Sequence, residues 1–328
     1  MKTMRRVLSG TRPTGILHLG NYFGAIESWV KLQDEYECFF FVADWHALTT
    51  GYEDTSNLKE YTKQVVIDLL ASGLDPKKCT IFVQSHVPQH VELHLLFSMI
   101  TPLSWLYRCP TYKDQMRELK ERNIATYGFL GYPCLQAADI LIYKAELVPV
   151  GEDQLPHLEL TREIARRFNF LYGQTFPEPQ AILNTVKVLV GTDGRKMSKS
   201  YGNTIALSED LESVRKKVMN MVTDPARIRK NDPGHPEVCT VFAYHQIFSQ
   251  EIVAETEEDC RQGRIGCVEC KKRLFENISR FLEPIQSKRR ELENDLDYVL
   301  GVISEGARKA REIASRTLQE AKDRAGLL

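Results

Sequence analysis

Between Arg6 and Val190, short apolar runs alternate with longer stretches of helical period, and this alternation narrows the possible folds more than any other feature. Arg6-Val7-Leu8-Ser9 reads as a strand closed by Gly10, and Phe39 to Ala43 as a second. Thr80 to Gln84, Leu147 to Val150 and Val186 to Val190 are three more. Phe39 to Ala43 is continuously apolar, as expected of a strand covered on both faces. Leu58 to Leu70 places Leu58, Tyr61, Val65, Val66, Leu69 and Leu70 on one helical stripe, and Leu135–Tyr143 and Leu155–Phe168 read as further helices. Strands that alternate with helices predict an α/β fold built on a parallel sheet with right-handed crossovers.

After Gly202 the strand signal fades. Leu207–Val222, Thr240–Ser249 and Lys271–Phe281 read as helices, and Arg229–Glu237, with Pro233, Gly234 and Pro236, as a loop. From Pro284 a helical stripe runs to Ala321, with Gly301 and Gly306 as candidate interruptions. A chain of 328 residues fits about two domains. The pattern predicts a first domain over 1–195 and an all-helical second over 196–294. The terminal helix, about 295–328, is a candidate to pack back on the first.

No export or membrane signal is expected. Val7-Leu8-Ser9-Gly10 is too short for a signal-peptide core, and the most apolar run, Cys38 to Ala43, has six residues where a spanning helix needs about 20. The expected compartment is the cytoplasm, where disulfides are rare and clustered cysteines more often hold metal. Forty-three bases against 44 acids exclude a uniformly basic nucleic-acid binder but not a local patch. Glu251–Cys260 carries five acids and no base, and Arg261–Arg290 carries nine bases against three acids. That second stretch reads either as a solvated helical face or as an RNA contact.

Two strings carry chemistry. Ser9-Gly10-Thr11-Arg12-Pro13-Thr14-Gly15-Ile16-Leu17-His18-Leu19-Gly20-Asn21 follows a strand and enters a helix. A helix start presents free N–H groups that suit phosphate. His18 and Asn21 share one helical face, and Gly20 between them leaves room for a flat base. Gly191-Thr192-Asp193-Gly194-Arg195-Lys196-Met197-Ser198-Lys199-Ser200 sets two lysines and two serines in a loop behind two glycines. Lysines are point charges for a polyphosphate, and such a loop can close over a nucleotide.

Together these strings resemble the HIGH and KMSKS signatures of class I aminoacyl-tRNA synthetases, in the family's order. Within that class the chain resembles the tryptophanyl-tRNA synthetases over essentially its whole length. FVADWHALT, GYPCLQAADILIY, VPVGEDQLPHLELTREIARRFN and MVTDPARIR followed by VCTVFAYHQIF carry the likeness. The resemblance implies a Rossmann-like catalytic domain and a helical anticodon-binding domain. It implies ATP-dependent activation of L-tryptophan, transfer to tRNA(Trp), Mg2+ on the polyphosphate, and a homodimer. Arg12, Pro13, Thr14, His18, Gly20, Asn21, Gly151, Glu152, Asp153, Val190 and Lys196-Met197-Ser198-Lys199-Ser200 are implied to contact ATP. Among them His18, Asn21, Lys196 and Lys199 are the implied catalytic groups, with Lys199 foremost in stabilising the leaving pyrophosphate. Many bacterial relatives carry Gln where this chain has Arg12.

The amino acid needs its own recognition. An indole N–H only donates, so its site should offer one buried acceptor in an apolar wall. Asp139 sits on an otherwise apolar helix, where an uncompensated carboxylate would be costly. The resemblance implies that Asp139 meets the indole nitrogen, and that Tyr132 and Gln154 hold the ammonium and carboxylate end. Such a contact rejects phenylalanine by about 10⁴–10⁵, because the acceptor would go unpaired. Cys134 falls near Tyr132 and Asp139 and is a candidate pocket residue, whereas His46 and His86 read as structural.

Cys239, Cys260, Cys267 and Cys270 form C-x20-C-x6-C-x2-C. Four thiolates can close a zinc site or hold an iron–sulfur cluster. Only one short pair is present where zinc ribbons use two, which favours iron–sulfur over zinc. A subset of tryptophanyl-tRNA synthetases carries a [4Fe–4S] cluster at similar spacing. Cys38, Cys79 and Cys109 read as plain buried thiols. The readings to be separated from a tryptophan enzyme are a tyrosine–tRNA ligase, a small-molecule nucleotidyltransferase and a catalytically idle paralogue.

Overall fold

The computed structural model describes residues 4–118, 124–183 and 189–328. Five parallel strands, β1 (Arg6–Thr11), β2 (Glu37–Val42), β3 (Cys79–Val83), β4 (Leu147–Val150) and β5 (Gln180–Leu183), form one sheet in the order β3-β2-β1-β4-β5. The first four follow the apolar runs of the sequence. The fifth lies earlier than the Val186–Val190 run: residues 186–188 of that run lie outside the described residues, and Val190 makes only an isolated antiparallel bridge to Lys196. Gln180–Leu183 is an edge strand with no fully buried residue along it. Its weak apolar signal follows from that position.

The sheet order reverses between β1 and β4, and ligands of open α/β sheets bind outside the strand carboxyl ends at such a switch. The Arg12–Thr14 turn and the Gly151–Gln154 turn both leave the sheet there. The Tyr127–Ile142 helix is buried along nearly all of its second half, from Pro133 through Ile142. Thr126 caps it by accepting from the Phe129 N–H at 3.2 Å. Such all-round burial explains why its sequence is apolar on every face.

The chain divides into two compact units. One comprises residues 1–15, 28–185 and 295–328, and the other 16–27 and 186–294. The second therefore includes the Ile16–Asn21 end of the first string as well as the 196–294 stretch, and it begins ahead of residue 196.

The long stripe from Pro284 is two helices, not one. Cys267–Asn294 ends at Asp295, whose side chain accepts from the Tyr298 N–H and caps Leu296–Arg324. Gly301 and Gly306 do not interrupt the second helix. Gly306 is the point at which that helix meets β3: a Cβ there would stand 1.8 Å from the Ile81 carbonyl oxygen. Lys144–Glu320 at 2.7 Å and Arg311 donating to the His86 carbonyl at 2.8 Å hold the helix along its length.

Candidate active site

His18 caps the short Leu19–Asn21 helical turn, and its backbone N–H donates to Asn21 Oδ1 at 3.1 Å. Asn21 thereby shapes the turn that carries His18. The strand-like segment after the lysine loop pins this turn: Leu19 N–H donates to the Ile205 carbonyl and Leu207 N–H to the Leu17 carbonyl, both at 3.0 Å. The His18 end of the first string and the lysine loop, almost 180 residues apart in sequence, thus lie in one unit.

Gly20 packs its Cα against His18 and Met197. A Cβ at Gly20 would stand 3.0 Å from the His18 ring and 3.1 Å from Met197 Sδ. Met197 is buried, and the lysines beside it, Lys196 and Lys199, are exposed. His18 is itself buried, and its Nδ1 has no hydrogen-bond partner among the described residues. Burial first, and then the Lys199 charge, pushes the imidazole down to about 4. At neutral pH the His18 ring is therefore held uncharged.

The lysine loop is held by a residue that the sequence reading passed over. Asn203 donates to Asp193 Oδ1 at 2.8 Å and to the Lys196 carbonyl at 3.1 Å, and accepts from the Ser198 N–H at 2.8 Å. The Asn203 contact, outweighing burial together with Arg195, holds the Asp193 carboxyl down to about 2. Tyr244 donates its hydroxyl to the Val190 carbonyl at 2.8 Å, fixing the loop's entry. These bonds define the loop in this conformation. The side chain of Ser200 lies outside the described residues.

In the sheet-bearing unit, Pro13 is buried while Arg12 and Thr14 are exposed, and Thr14 N–H closes a turn onto the Arg12 carbonyl at 2.9 Å. Beyond β4, Asp153 curls back over Gly151, and Gln154 donates to Asp153 Oδ2 at 2.8 Å. Glu152 is exposed. Tyr132 Oη lies 3.0 Å from His157 Nε2, one helical turn after Gln154, and His157 Nδ1 is 3.4 Å from Cys109 Sγ. Burial pushes His157 down to about 4, so this ring too is neutral.

Asp139 is 1% exposed, which excludes a solvated position on a polar helix face. His46 Nε2 donates to Oδ2 at 2.7 Å, and Gln84 Nε2 at 2.7 Å and His90 Nδ1 at 2.6 Å donate to Oδ1. Burial alone raises a carboxyl, but the His46 and His90 contacts outweigh it and hold Asp139 down to about 2. It is an anion at neutral pH. His46, expected to be structural, contacts Asp139 directly. Gln84 and His90 carried no sequence signal of their own. Cys134 does not line this site: it is 2% exposed in the core, 3.8 Å from Thr101 Oγ1.

The family model of tRNA synthetases class I (W and Y) matches residues 2–283. The chain belongs to this family. It is 58% identical over 320 residues to a tryptophan–tRNA ligase of Thermotoga maritima, covering 97% of this chain and 98% of that one. It is 50% identical to the tryptophan–tRNA ligase of Aquifex aeolicus, with 97% and 98% covered. Among solved structures, a tryptophanyl-tRNA synthetase from Campylobacter jejuni complexed with ADP and tryptophan superposes with a TM-score of 0.90 at 36% identity. That match covers 98% of this chain and all of that one.

The four clustered cysteines of this class I synthetase stand in its second unit. Cys267 opens the Cys267–Asn294 helix and Cys270 lies one turn on. Gly234 packs against Cys260, where a Cβ would stand 2.5 Å from its Sγ, and the Arg227 guanidinium lies 3.7 Å from the same sulfur. Burial, and then repulsion from Cys239, Cys260 and Cys267, pushes the Cys270 thiol up to about 12. Burial, with the neighbouring cysteines, also raises Cys260. No three His, Cys, Asp or Glu side chains among the described residues are grouped tightly enough to hold a single metal ion.

The basic stretch is less bare than its sequence. Among the described residues, Arg261, Arg264, Lys272, Arg273, Lys288 and Arg289 pair with acidic side chains, several of them from the acidic segment just before. Its excess of +6 is largely answered locally, which favours the solvated face over a continuous RNA-binding stripe. No helix among the described residues is long and apolar enough to cross a membrane.

Proposed function

We infer that this synthetase activates L-tryptophan with ATP to tryptophanyl-adenylate and transfers it to tRNA(Trp), releasing pyrophosphate and then AMP. The observation that carries the choice of amino acid is Asp139, an anionic acceptor buried in an apolar helix at the carboxyl end of the sheet. A donor-only indole N–H matches it. The full-length likeness to tryptophan–tRNA ligases supports the same substrate.

The chemistry asks little acid–base work of the protein. The substrate carboxylate is already ionised and attacks the α-phosphorus while pyrophosphate leaves, so catalysis is positioning and charge stabilisation. The exposed ammonium groups of Lys196 and Lys199 offset charge on the leaving pyrophosphate. Neutral His18 donates an N–H to phosphate, and Asn21 holds the turn that presents it. Arg12, Pro13, Thr14, Gly151, Glu152, Asp153 and Val190 border the nucleotide. Tyr132 and Gln154 take the ammonium and carboxylate of the amino acid. Mg2+ travels with the polyphosphate.

Residues 196–294 are proposed as the anticodon-binding region. Cys239, Cys260, Cys267 and Cys270 are proposed to hold a [4Fe–4S] cluster, whose several irons accept more widely spaced thiolates than one ion does. Thiolates are the ligating form, so loading such a group would release the protons that burial and the neighbouring cysteines hold on Cys260 and Cys270. The cluster would order the 227–235 loop that packs on Cys260.

The proposed assembly is a homodimer. Val91, Leu95 and Met99 form an exposed apolar stripe at helical spacing on the Gln89–Ile100 helix. Beside Val91, a cleft of about 340 Å³ is lined by Trp45, Tyr52, Tyr127 and Leu135. A second copy would cover this face. The proposed compartment is the cytoplasm, where aminoacylated tRNA is consumed.

ATP–pyrophosphate exchange with each amino acid tests the reading. Exchange with tryptophan should exceed that with tyrosine by at least about 10³ in kcat/KM. Exchange with tyrosine alone, or with neither, overturns it.

A further inference from the structure

Asp139 presents about four acceptor directions, two on each oxygen. Gln84 Nε2 and His90 Nδ1 take both directions of Oδ1, at 2.7 and 2.6 Å. His46 Nε2 takes one direction of Oδ2 at 2.7 Å. One direction, on Oδ2, is left without a donor among the described residues. A carboxylate oxygen only accepts, so the hydrogen between His90 and Asp139 is on Nδ1, and His90 Nε2 lies 2.7 Å from the Tyr143 hydroxyl. Burial pushes the Tyr143 hydroxyl well above its ordinary range, so it remains protonated and donates.

Gln84, His90 and Tyr143 are each 0% exposed. The His90 ring sits among Phe41, Phe82 and Tyr143, with ring centroids 5.4–6.0 Å away. That packing fixes the ring plane and thereby the direction of its N–H. A second observation points to a ligand: Gln84 Oε1 is buried and has no hydrogen-bond partner among the described residues. A buried unpartnered carbonyl is costly unless something donates to it, and here it belongs to an amide that already touches Asp139.

We propose that Gln84 and His90 are positioning residues for amino-acid selection: by occupying both directions of Oδ1, they leave Oδ2 as the single acceptor for the substrate's indole N–H. The inference rests on the reading of Asp139 as the indole acceptor and adds what aims it. A freely rotating carboxylate could meet a donor from several directions, including the hydroxyl of a bound tyrosine. A carboxylate locked by Tyr143, His90 and Gln84 accepts along one line only. Neither residue needs to touch substrate for this effect.

The test compares purified His90→Phe, His90→Gln, Gln84→Met and Asp139→Asn in ATP–pyrophosphate exchange with tryptophan, tyrosine and phenylalanine. His90→Phe keeps an aromatic ring in the cluster and removes both hydrogen bonds. It should raise the KM for tryptophan at least about tenfold, leave kcat within about threefold, and lower the preference for tryptophan over tyrosine at least about tenfold. His90→Gln retains an amide donor and should restore the preference to within about threefold of the parent. Gln84→Met keeps the volume without the donor and should behave as His90→Phe does, so it carries the test if His90→Phe does not fold. A fall in melting temperature with KM and preference unchanged would mark these residues as merely structural and overturn the proposal. If Asp139→Asn loses the preference while the His90 and Gln84 variants keep it, only this inference falls. If Asp139→Asn itself keeps the preference, the reading of Asp139 falls as well.

Discussion

Asn203 donates its side-chain amide to Asp193 at 2.8 Å, and this bond ties the two ends of the lysine loop together. The same side chain also bonds to the Lys196 carbonyl and the Ser198 N–H. Asn203→Ala should therefore lower kcat for exchange about tenfold or more, a loss of about 1.4 kcal/mol of transition-state stabilisation per tenfold. Asn203→Asp should be worse, because it sets a second carboxylate beside Asp193. Exchange kinetics check the order; a kcat unchanged in both variants would show that the loop does not need this tie.

Lys199 is exposed at the start of the Lys199–Tyr201 turn, and the proposed function sets its ammonium against charge that develops on the leaving pyrophosphate. Lys199→Ala should lower kcat for exchange by about 10²-fold or more with a smaller change in the KM for ATP, the signature of an interaction made mainly in the transition state. Steady-state exchange at varied ATP measures the split.

His18 is held near 4 by burial and by the Lys199 charge, below its ordinary value of 6.5. A depressed histidine favours the folded state while it is neutral. Its contribution is complete above about pH 6.5 and is lost as the pH falls toward 4. It amounts to up to roughly 3 kcal/mol. Urea unfolding at pH 7 and at pH 4.5 should show a smaller acid-induced loss for His18→Asn than for the parent. Because the ring is neutral throughout, kcat/KM between pH 6 and 8 should show no inflection that His18→Asn removes.

Gly306 and Gly301 lie on one helix and should answer oppositely to alanine. At Gly306 the new Cβ would meet the Ile81 backbone carbonyl at 1.8 Å, and backbone cannot give way as a side chain can. Gly306→Ala should cost about 2–4 kcal/mol of stability. At Gly301 nothing lies within 4 Å, so Gly301→Ala should be neutral or stabilise by up to about 1 kcal/mol. Thermal melts of the two variants check the contrast.

Protein purified without oxygen should be brown, with roughly four irons per chain and little zinc. A colourless protein with one zinc per chain would overturn the cluster. Cys270→Ala should lose the iron and should reduce tRNA charging more than exchange, since these cysteines stand apart in sequence from both nucleotide strings.

The sheet was legible wherever a strand is buried on both faces. Phe39 to Ala43 stands out because every residue faces core, whereas Gln180–Leu183 at the sheet edge keeps no such pattern. The terminal helices were legible as a stripe, but the break at Asp295 was not. A capping aspartate reads like any surface acid until the helix start behind it is known. The His18 and Lys196–Ser200 strings could be read because their residue types and order are local. Met197 over Gly20 could not, because that contact joins segments far apart in the chain.

The sequence by itself determined the α/β class, the two nucleotide strings, the singular Asp139 in an apolar helix and the crowding of four cysteines. All of these are properties of neighbours in the chain, set by periodicity, composition and spacing. Only the tertiary structure decided which groups hold those residues. Gln84 from the turn after β3, and His46 and His90 from two separate helices, meet one carboxylate, and Asn203 closes a loop from outside its string. A buried charge is stable only where the fold brings donors to it. Those donors are ordinary residues in sequence, and their roles exist only once the chain has folded around Asp139.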